Sequence, residues 1–226
     1  MESPAGAADL IGNRAAVARL RAIHFWDGLR LARQRARHPG LEIDPAASTN
    51  LACARFALAP GARLRIGPGV VTERLPGRLH FHLESGAQVE LGANVWLRTE
   101  LGEVHLVAFE GARITVGPDS LLNACQLSAK SEVVFGRRVF IGSGSRVFDS
   151  DQHDLDDEHP EQSAPVRIGD HSWIASDTTV LKGVTIGAHC VIGTRSLVSS
   201  DIPEHTLAFG SPARPRGSVG DRTRAR

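Results

Sequence analysis

The sequence predicts an all-β fold: a solenoid of short parallel strands with one α-helix in front. Two periodicities predict it, and one interruption marks where function should be sought. Phe135, Ile141 and Val147 step by six residues, and Ile168, Ile174, Val180, Ile186, Ile192 and Val198 step by six again. Upstream, three similar segments begin at Arg55, His80 and His105, twenty-five residues apart. Between the two hexad runs, residues 149–165 keep no step at all.

Residues 13–38 read as a helix. Val17, Leu20, Ile23, Trp26 (or Asp27) and Leu31 form a broken apolar stripe, surrounded by Arg14, Arg19, Arg21, Arg30, Arg33, Arg35 and Arg37. The "HPG" beginning at His38 ends it. Such a helix packs on the main domain or at a subunit interface; weak contact with an anionic membrane surface is the second reading for a basic amphipathic helix. The expected organisation is a helical segment over 1–46, a β-helix over 47–213 and a basic tail over 214–226.

From Arg55 each twenty-five-residue segment carries an alternating apolar pair: Leu64 and Ile66, Val89 and Leu91, Ile114 and Val116. Alternation gives strands with one buried face, and the fixed period gives stacked coils. Arg55, His80 and His105 then share one position on successive coils. Phe81 and Leu83 take the inward face, so His80 and His82 point outward and no metal is expected there. In the second half, Val166, Ser172, Thr178, Val184, Cys190 and Ser196 lie two residues before each hexad aliphatic. A large and a smaller inward residue followed by a tight turn describe a triangular coil, with glycine at corners that need positive φ. No hairpin turns for a β-sandwich appear.

The 226 residues carry a net charge of +1, so nucleic acid is not an expected partner. Met1 to Gly12 has neither the basic start nor the apolar run of a leader, and no window reaches transmembrane length. Cys53, Cys125 and Cys190 lack metal-ligand spacing, and an odd number suits reduced thiols. A cytoplasmic protein is expected.

The block "IGDHSWIASDTTVLKGVTIGAHCVIGTRSLVSSDIPEHTLAFGSPARPR" resembles the closing block of hexapeptide-repeat acyltransferases, in particular the sugar and polysaccharide O-acetyltransferases of the galactoside and maltose type. The resemblance is specific over residues 133–216 and looser over 55–126; the N-terminal helix lies outside it. It implies a left-handed parallel β-helix, a handedness opposite to the usual crossover rule. It also implies acetyl-CoA as donor, a sugar or polysaccharide-precursor acceptor, and a homotrimer with the active site between subunits. Trp173 and Ser176 match donor-contacting positions, and Thr194 matches one that meets pantetheine through its backbone. Arg214 in "GSPAR" matches a basic residue near the nucleotide phosphates. Two departures concern the phosphates. Ser199-Ser200 replaces the usual Thr-Lys, and Arg195 stands where glycine often follows and restores a charge. Ala175 takes another common glycine position.

The interruption is a solvated loop, rich in Asp and Glu, and function favours loops held on rigid scaffolds. The resemblance places a general base at its start, where "SDQH" puts His153. An imidazole suits that task, because a sugar hydroxyl must lose its proton as it attacks a thioester. Asp151 or a neighbouring carboxylate is expected to orient the ring or meet the substrate. His159 lies beyond the match. Asn123 is either an acceptor-binding asparagine or a turn residue. Arg222, Arg224 and Arg226 are expected to be disordered and without a role. Two other classes compete. A zinc-dependent carbonic-anhydrase-like β-helix needs histidines on adjacent coil faces, yet "FIGSGSRVF" and "WIASDTTVL" have none. A non-catalytic scaffold would have no use for His153, Trp173, Ser176 and "GSPAR" together.

Overall fold

The computed structural model describes residues 14–224, with side chains from Ala16 onward. The stretch Met1–Gly12 and Arg226 lie outside the described residues. The chain winds into a left-handed parallel β-helix whose three flat sides are sheets of seven, eight and seven strands, parallel except for the last strand of the eight, here sheets A, C and B in the order each coil visits them. Ile168, Ile174 and Val180 supply the three sides of one coil, and Ile186, Ile192 and Val198 stack on them in register. All six are at most 2% exposed. Burying an aliphatic side chain contributes about 1.5–3 kcal/mol, so the hexads are the fold's main support.

The small inward residues close the corners. Ser172 Oγ donates to the Gly187 carbonyl at 2.8 Å and Thr178 Oγ1 to that of Gly193 at 3.2 Å, each reaching the next coil. Gly183 takes the positive φ expected of a corner glycine, +75°, but the other hexad glycines serve a different purpose. Positive φ falls on His171, His189 and Arg195, not on Gly169, Gly187 and Gly193. Those glycines are required by coil spacing: a Cβ on Gly187 would stand 2.4 Å from the Glu204 nitrogen.

The coils begin earlier than residue 47. Leu41–Ile43 pairs in parallel with Arg63–Ile66, because Leu41 and Ile43 continue the inward columns of Leu64 and Ile66. Helix α1 (Arg14–Arg37) packs on the 3-10 turn Thr49–Cys53 below the first full coil. Its buried face holds Asp27 and Leu31, while Leu20 and Trp26 of the expected stripe are exposed, with Phe25 and Leu29 beside them. Asp27 displaces Trp26 inward because it has partners: its carboxylate accepts from Arg74 Nη1 at 2.6 Å and Arg30 Nη1 at 3.3 Å. No helix among the described residues is long and apolar enough to cross a membrane.

At the other end the expected tail is partly built into the fold. Thr206–Gly210 extends sheet C, and Ala213–Ser218 returns antiparallel to it, a hairpin with no alternating pattern to announce it. Arg222 is also placed. Its N–H donates to His189 Nδ1 at 3.0 Å, its Nε to the His171 carbonyl at 3.1 Å, and its guanidinium lies 5.8 Å from the Trp173 ring centre. The coil repeat creates this dock by stacking the rings of His171, His189 and His205 at 5.0 and 4.7 Å.

Burial, reinforced by the neighbouring His189, holds the His171 imidazole below its ordinary pKa. The unfolded chain therefore takes up this proton first as pH falls, and stability declines below the unfolded value of about 6.5. The urea midpoint is expected to be lower at pH 5.5 than at 7.5, with a smaller difference in His171→Gln. An equal difference in both proteins would contradict this.

Candidate active site

The interruption leaves the helix at the corner between sheets B and A. Stacked partners show its length: Ile168 and Ile186 are eighteen residues apart in sequence, whereas Phe135 and Ile168 are thirty-three apart. The base of the loop is rigid. Asp149 is fully buried, and its carboxylate accepts from the Lys130 and Ser131 N–H groups at 2.7 Å each. Burial pushes this carboxyl above its ordinary pKa against the pull of those N–H groups.

Two lysines pin the loop, and they are the only lysines in the chain. Lys130, one coil before the loop, donates to Glu161 at 2.6 Å and to the Gln152 carbonyl at 3.1 Å. Lys182, one coil after, pairs with Asp151. Both stand at the B–A corner, so the loop is gripped from both neighbouring coils. Sequence reasoning missed them, although two lysines among twenty-six cations, each closing a strand of the same sheet, were a signal.

His153 sits on this gripped loop, exposed, with Nδ1 3.0 Å from the Asp154 carbonyl oxygen. That carbonyl can only accept, so Nδ1 is the donor, and in the neutral imidazole Nε2 is the nitrogen that keeps a lone pair. Asp151 makes no hydrogen bond to the ring among the described residues: Lys182 engages its carboxylate and, together with the nearby His153, holds it below its ordinary pKa. Asp151 instead fixes the loop. The His159 ring is taken up by Asp156, 2.7 Å from Nδ1.

The other predicted residues gather elsewhere. Asn123, Ser176, Thr194 and Arg195 all lie at the corner between sheets C and B. Thr194 Oγ1 and the Arg195 N–H both donate to the Ser176 carbonyl, at 2.9 and 3.0 Å, which locks two coils together. The Arg195 side chain is 85% exposed, with Asp177 at 4.0 Å. Gly210 donates to Ser196 Oγ at 3.2 Å, so the hairpin carrying Arg214 turns beside the Arg195 coil. Arg214 itself reaches Ser200 Oγ at 3.4 Å. Asn123 Oδ1 is buried with no partner among the described residues. Within one chain, then, this corner and His153 occupy opposite edges of sheet B.

Trp173 stands on the outer face of sheet C, in a column that sequence reasoning did not assemble. Val71, Trp96, Leu121, Phe140, Trp173, Val191 and Leu207 follow one another in register, all pointing outward. The matching outward column of sheet A reads Glu42, Arg65, Glu90, Thr115, Val134, Arg167 and Thr185. This outward column of sheet C is apolar from end to end, although Arg98 and Asn123 flank it on the same face, and the column of sheet A is mostly polar.

Residues 165–200 match the family model described as bacterial transferase hexapeptide, six repeats. A Schizosaccharomyces pombe protein named as an acetyltransferase is 39% identical over 87 residues, 37% of this chain and 42% of that protein. A Staphylococcus aureus protein named likewise is 46% identical over 54 residues, 24% of this chain and 27% of its own length. The matched stretches thus span less than half of these relatives. Among solved structures, a hexapeptide-repeat-containing acetyltransferase from Vibrio cholerae is similar at 27% identity and TM-score 0.51, over 57% of this chain and 73% of that one. A polySia-specific acetyltransferase shares the fold at TM-score 0.55 and 20% identity, over 84% and 92% of the two chains.

Proposed function

We propose that this chain, whose closing coils are bacterial transferase hexapeptide repeats, is an acetyl-CoA-dependent O-acyltransferase. Its acceptor is a hydroxyl of a sugar or polysaccharide precursor, and His153 is its general base. The observation that carries this reading is the state of His153: exposed, on a loop pinned from both sides, with Nδ1 occupied and Nε2 free. A free Nε2 beside a bound hydroxyl takes the proton as the oxygen attacks, and the resulting imidazolium returns it to the departing sulfur. The thioester supplies an activated acyl carbon and a good leaving group. What the chain adds is position: a base held in one tautomer, which lets orientation contribute as well as proton transfer.

The C–B corner fits the donor. Thr194 Oγ1 is already used within the coil, which leaves its backbone for pantetheine. Arg195 extends into solvent with one distant carboxylate, free to meet a phosphate. Asn123, with an unused acceptor, suits the acceptor hydroxyl after a side-chain rotation. Trp173 and Ser176 flank the path between.

The reading requires more than one copy, because donor corner and base lie on opposite edges of sheet B. We infer a homotrimer that buries the apolar column of sheet C and brings one chain's base to its neighbour's donor corner; a ring of three closes through a heterologous contact, which pairs two different surfaces of neighbouring chains. The three cysteines are all free thiols, which supports a cytoplasmic setting. Exposed Phe25 and Trp26 among the arginines of α1 support a weak contact with an anionic membrane surface.

The donor assignment is tested at Arg195, whose φ of +56° glycine tolerates without strain. Arg195→Gly is expected to keep the fold and raise the acetyl-CoA KM several-fold with kcat little changed, an effect that shrinks at high salt. The variant should also discriminate less between CoA and its 3′-dephospho form. If Arg195→Gly and Arg214→Ala both leave the donor KM unchanged at low ionic strength, the phosphate contacts are elsewhere.

A further inference from the structure

We propose that His80, Glu103 and His105 form a binding site for one divalent transition-metal ion of zinc's class. The site stands on the outer face of sheet B, two coils below the loop coil, and takes no part in the acyl-transfer proposal. Parallel register puts His80 directly beside His105, and their rings stack with centres 4.4 Å apart and planes 5° apart. Glu103, just before the strand Val104–Ala108, turns its carboxylate between them. Glu103 Oε2 is 2.8 Å from His105 Nε2 and 3.6 Å from His80 Nε2, and all three ligand atoms lie within 4.8 Å of one another.

The two carboxylate–nitrogen distances bracket the spacing a metal imposes. Zinc binds imidazole nitrogen and carboxylate oxygen at about 2.0–2.2 Å, which sets tetrahedral ligand atoms roughly 3.4 Å apart. The rings are held parallel, with planes 5° apart, and a metal lies in the plane of each imidazole it binds, so at least one ring must turn before both nitrogens reach one ion. Two imidazoles and one carboxylate suit zinc, nickel or copper better than calcium or magnesium. A hollow of ≈ 250 Å³, lined by Glu103, His105, Gln126 and Arg146 among others, opens beside the cluster and leaves room for a fourth ligand.

Two features oppose binding and shape the test. His80 Nε2 faces the Gly77 carbonyl at 2.8 Å, so binding needs the tautomer with its proton on Nδ1. Arg55 continues the same column next to His80 and adds a positive charge. The ligands must also be neutral imidazoles, so binding competes with protons and weakens in acid.

The test uses tag-free, metal-stripped full-length protein, titrated with Zn²⁺ against a chromophoric chelator and with Co²⁺ for its ligand-field absorption. One equivalent with micromolar or tighter Kd is expected, together with an intense tetrahedral Co²⁺ band. His105→Ala and Glu103→Gln should each weaken binding by at least about 10-fold, an effect on the scale known for perturbed metal sites. His189→Gln, in the separate histidine stack, should leave it intact. Absence of a stoichiometric ion at pH 7.5 would overturn the proposal. So would an equivalent that survives loss of both His80 and His105, or one removed by His189→Gln. The readout is metal occupancy, so acyl-transfer activity does not bear on it.

Discussion

Replacing His153 with alanine lowers kcat for acetyl transfer by roughly 10²–10⁴-fold, the usual contribution of a general base, while acetyl-CoA affinity stays close to wild type. In free energy this is about 2.7–5.5 kcal/mol of lost transition-state stabilisation. Donor affinity is spared because the ring stands at the B–A corner, whereas the proposed donor contacts stand at the C–B corner. The fold is spared because the ring is exposed and bonds only to the carbonyl of its own neighbour, Asp154. His159→Ala is the matched control: its ring is engaged by Asp156 on the same loop, and its loss leaves turnover largely intact. Steady-state kinetics on the two variants decides between them. Full turnover in His153→Ala, or a collapse in His159→Ala alone, would remove His153 from its assigned role.

Replacing Phe140 with glutamate is expected to dissociate the proposed trimer and to abolish turnover with it. Phe140 sits mid-column on the outer face of sheet C, between Leu121 and Trp173. Its neighbour Ile141 points inward and carries the core, so a charge at Phe140 leaves the single chain folded. Placed inside an interface, an unpaired carboxylate would cost several kcal/mol, and three symmetric copies would multiply that cost. Light scattering should give a trimer for the wild type and a monomer for Phe140→Glu, with unchanged far-ultraviolet circular dichroism. An active monomer would show that one chain holds the whole site. A trimer that persists would show that sheet C is not the contact.

The coils were legible because their signal is local and repeated. Ile168, Ile174 and Val180 state the hexad, and each hexad is one side of the prism. The loop was legible as the failure of that rhythm; it carries two histidines, and only the family resemblance singled out His153. What escaped notice depends on which residues coil spacing brings together. Lys130 and Lys182 are fifty-two residues apart in sequence yet hold the same loop. Glu103 lies outside the repeating positions, so its approach to His80 and His105 appears only once the strands are in register. Positive φ was the right reason for Gly183, but at Gly169, Gly187 and Gly193 the limit is the distance to the next coil, a quantity no single hexad contains. Asp27 was obscured because its partner, Arg74, comes from a turn forty-seven residues away. The C-terminal strand carries Arg-Pro-Arg-Gly, a run without the alternation that marks a strand.

Transfer of the acetyl group itself tests the central claim most directly. Purified protein is supplied with acetyl-CoA and a panel of mono- and oligosaccharides, thiol release is followed, and the saccharide is weighed by mass spectrometry. The account predicts CoA release that depends on a saccharide, matches the ester formed on its hydroxyl mole for mole, and disappears in His153→Ala. Thiol release that proceeds equally without acceptor, or an acetyl group found on an amine instead of a hydroxyl, would contradict it.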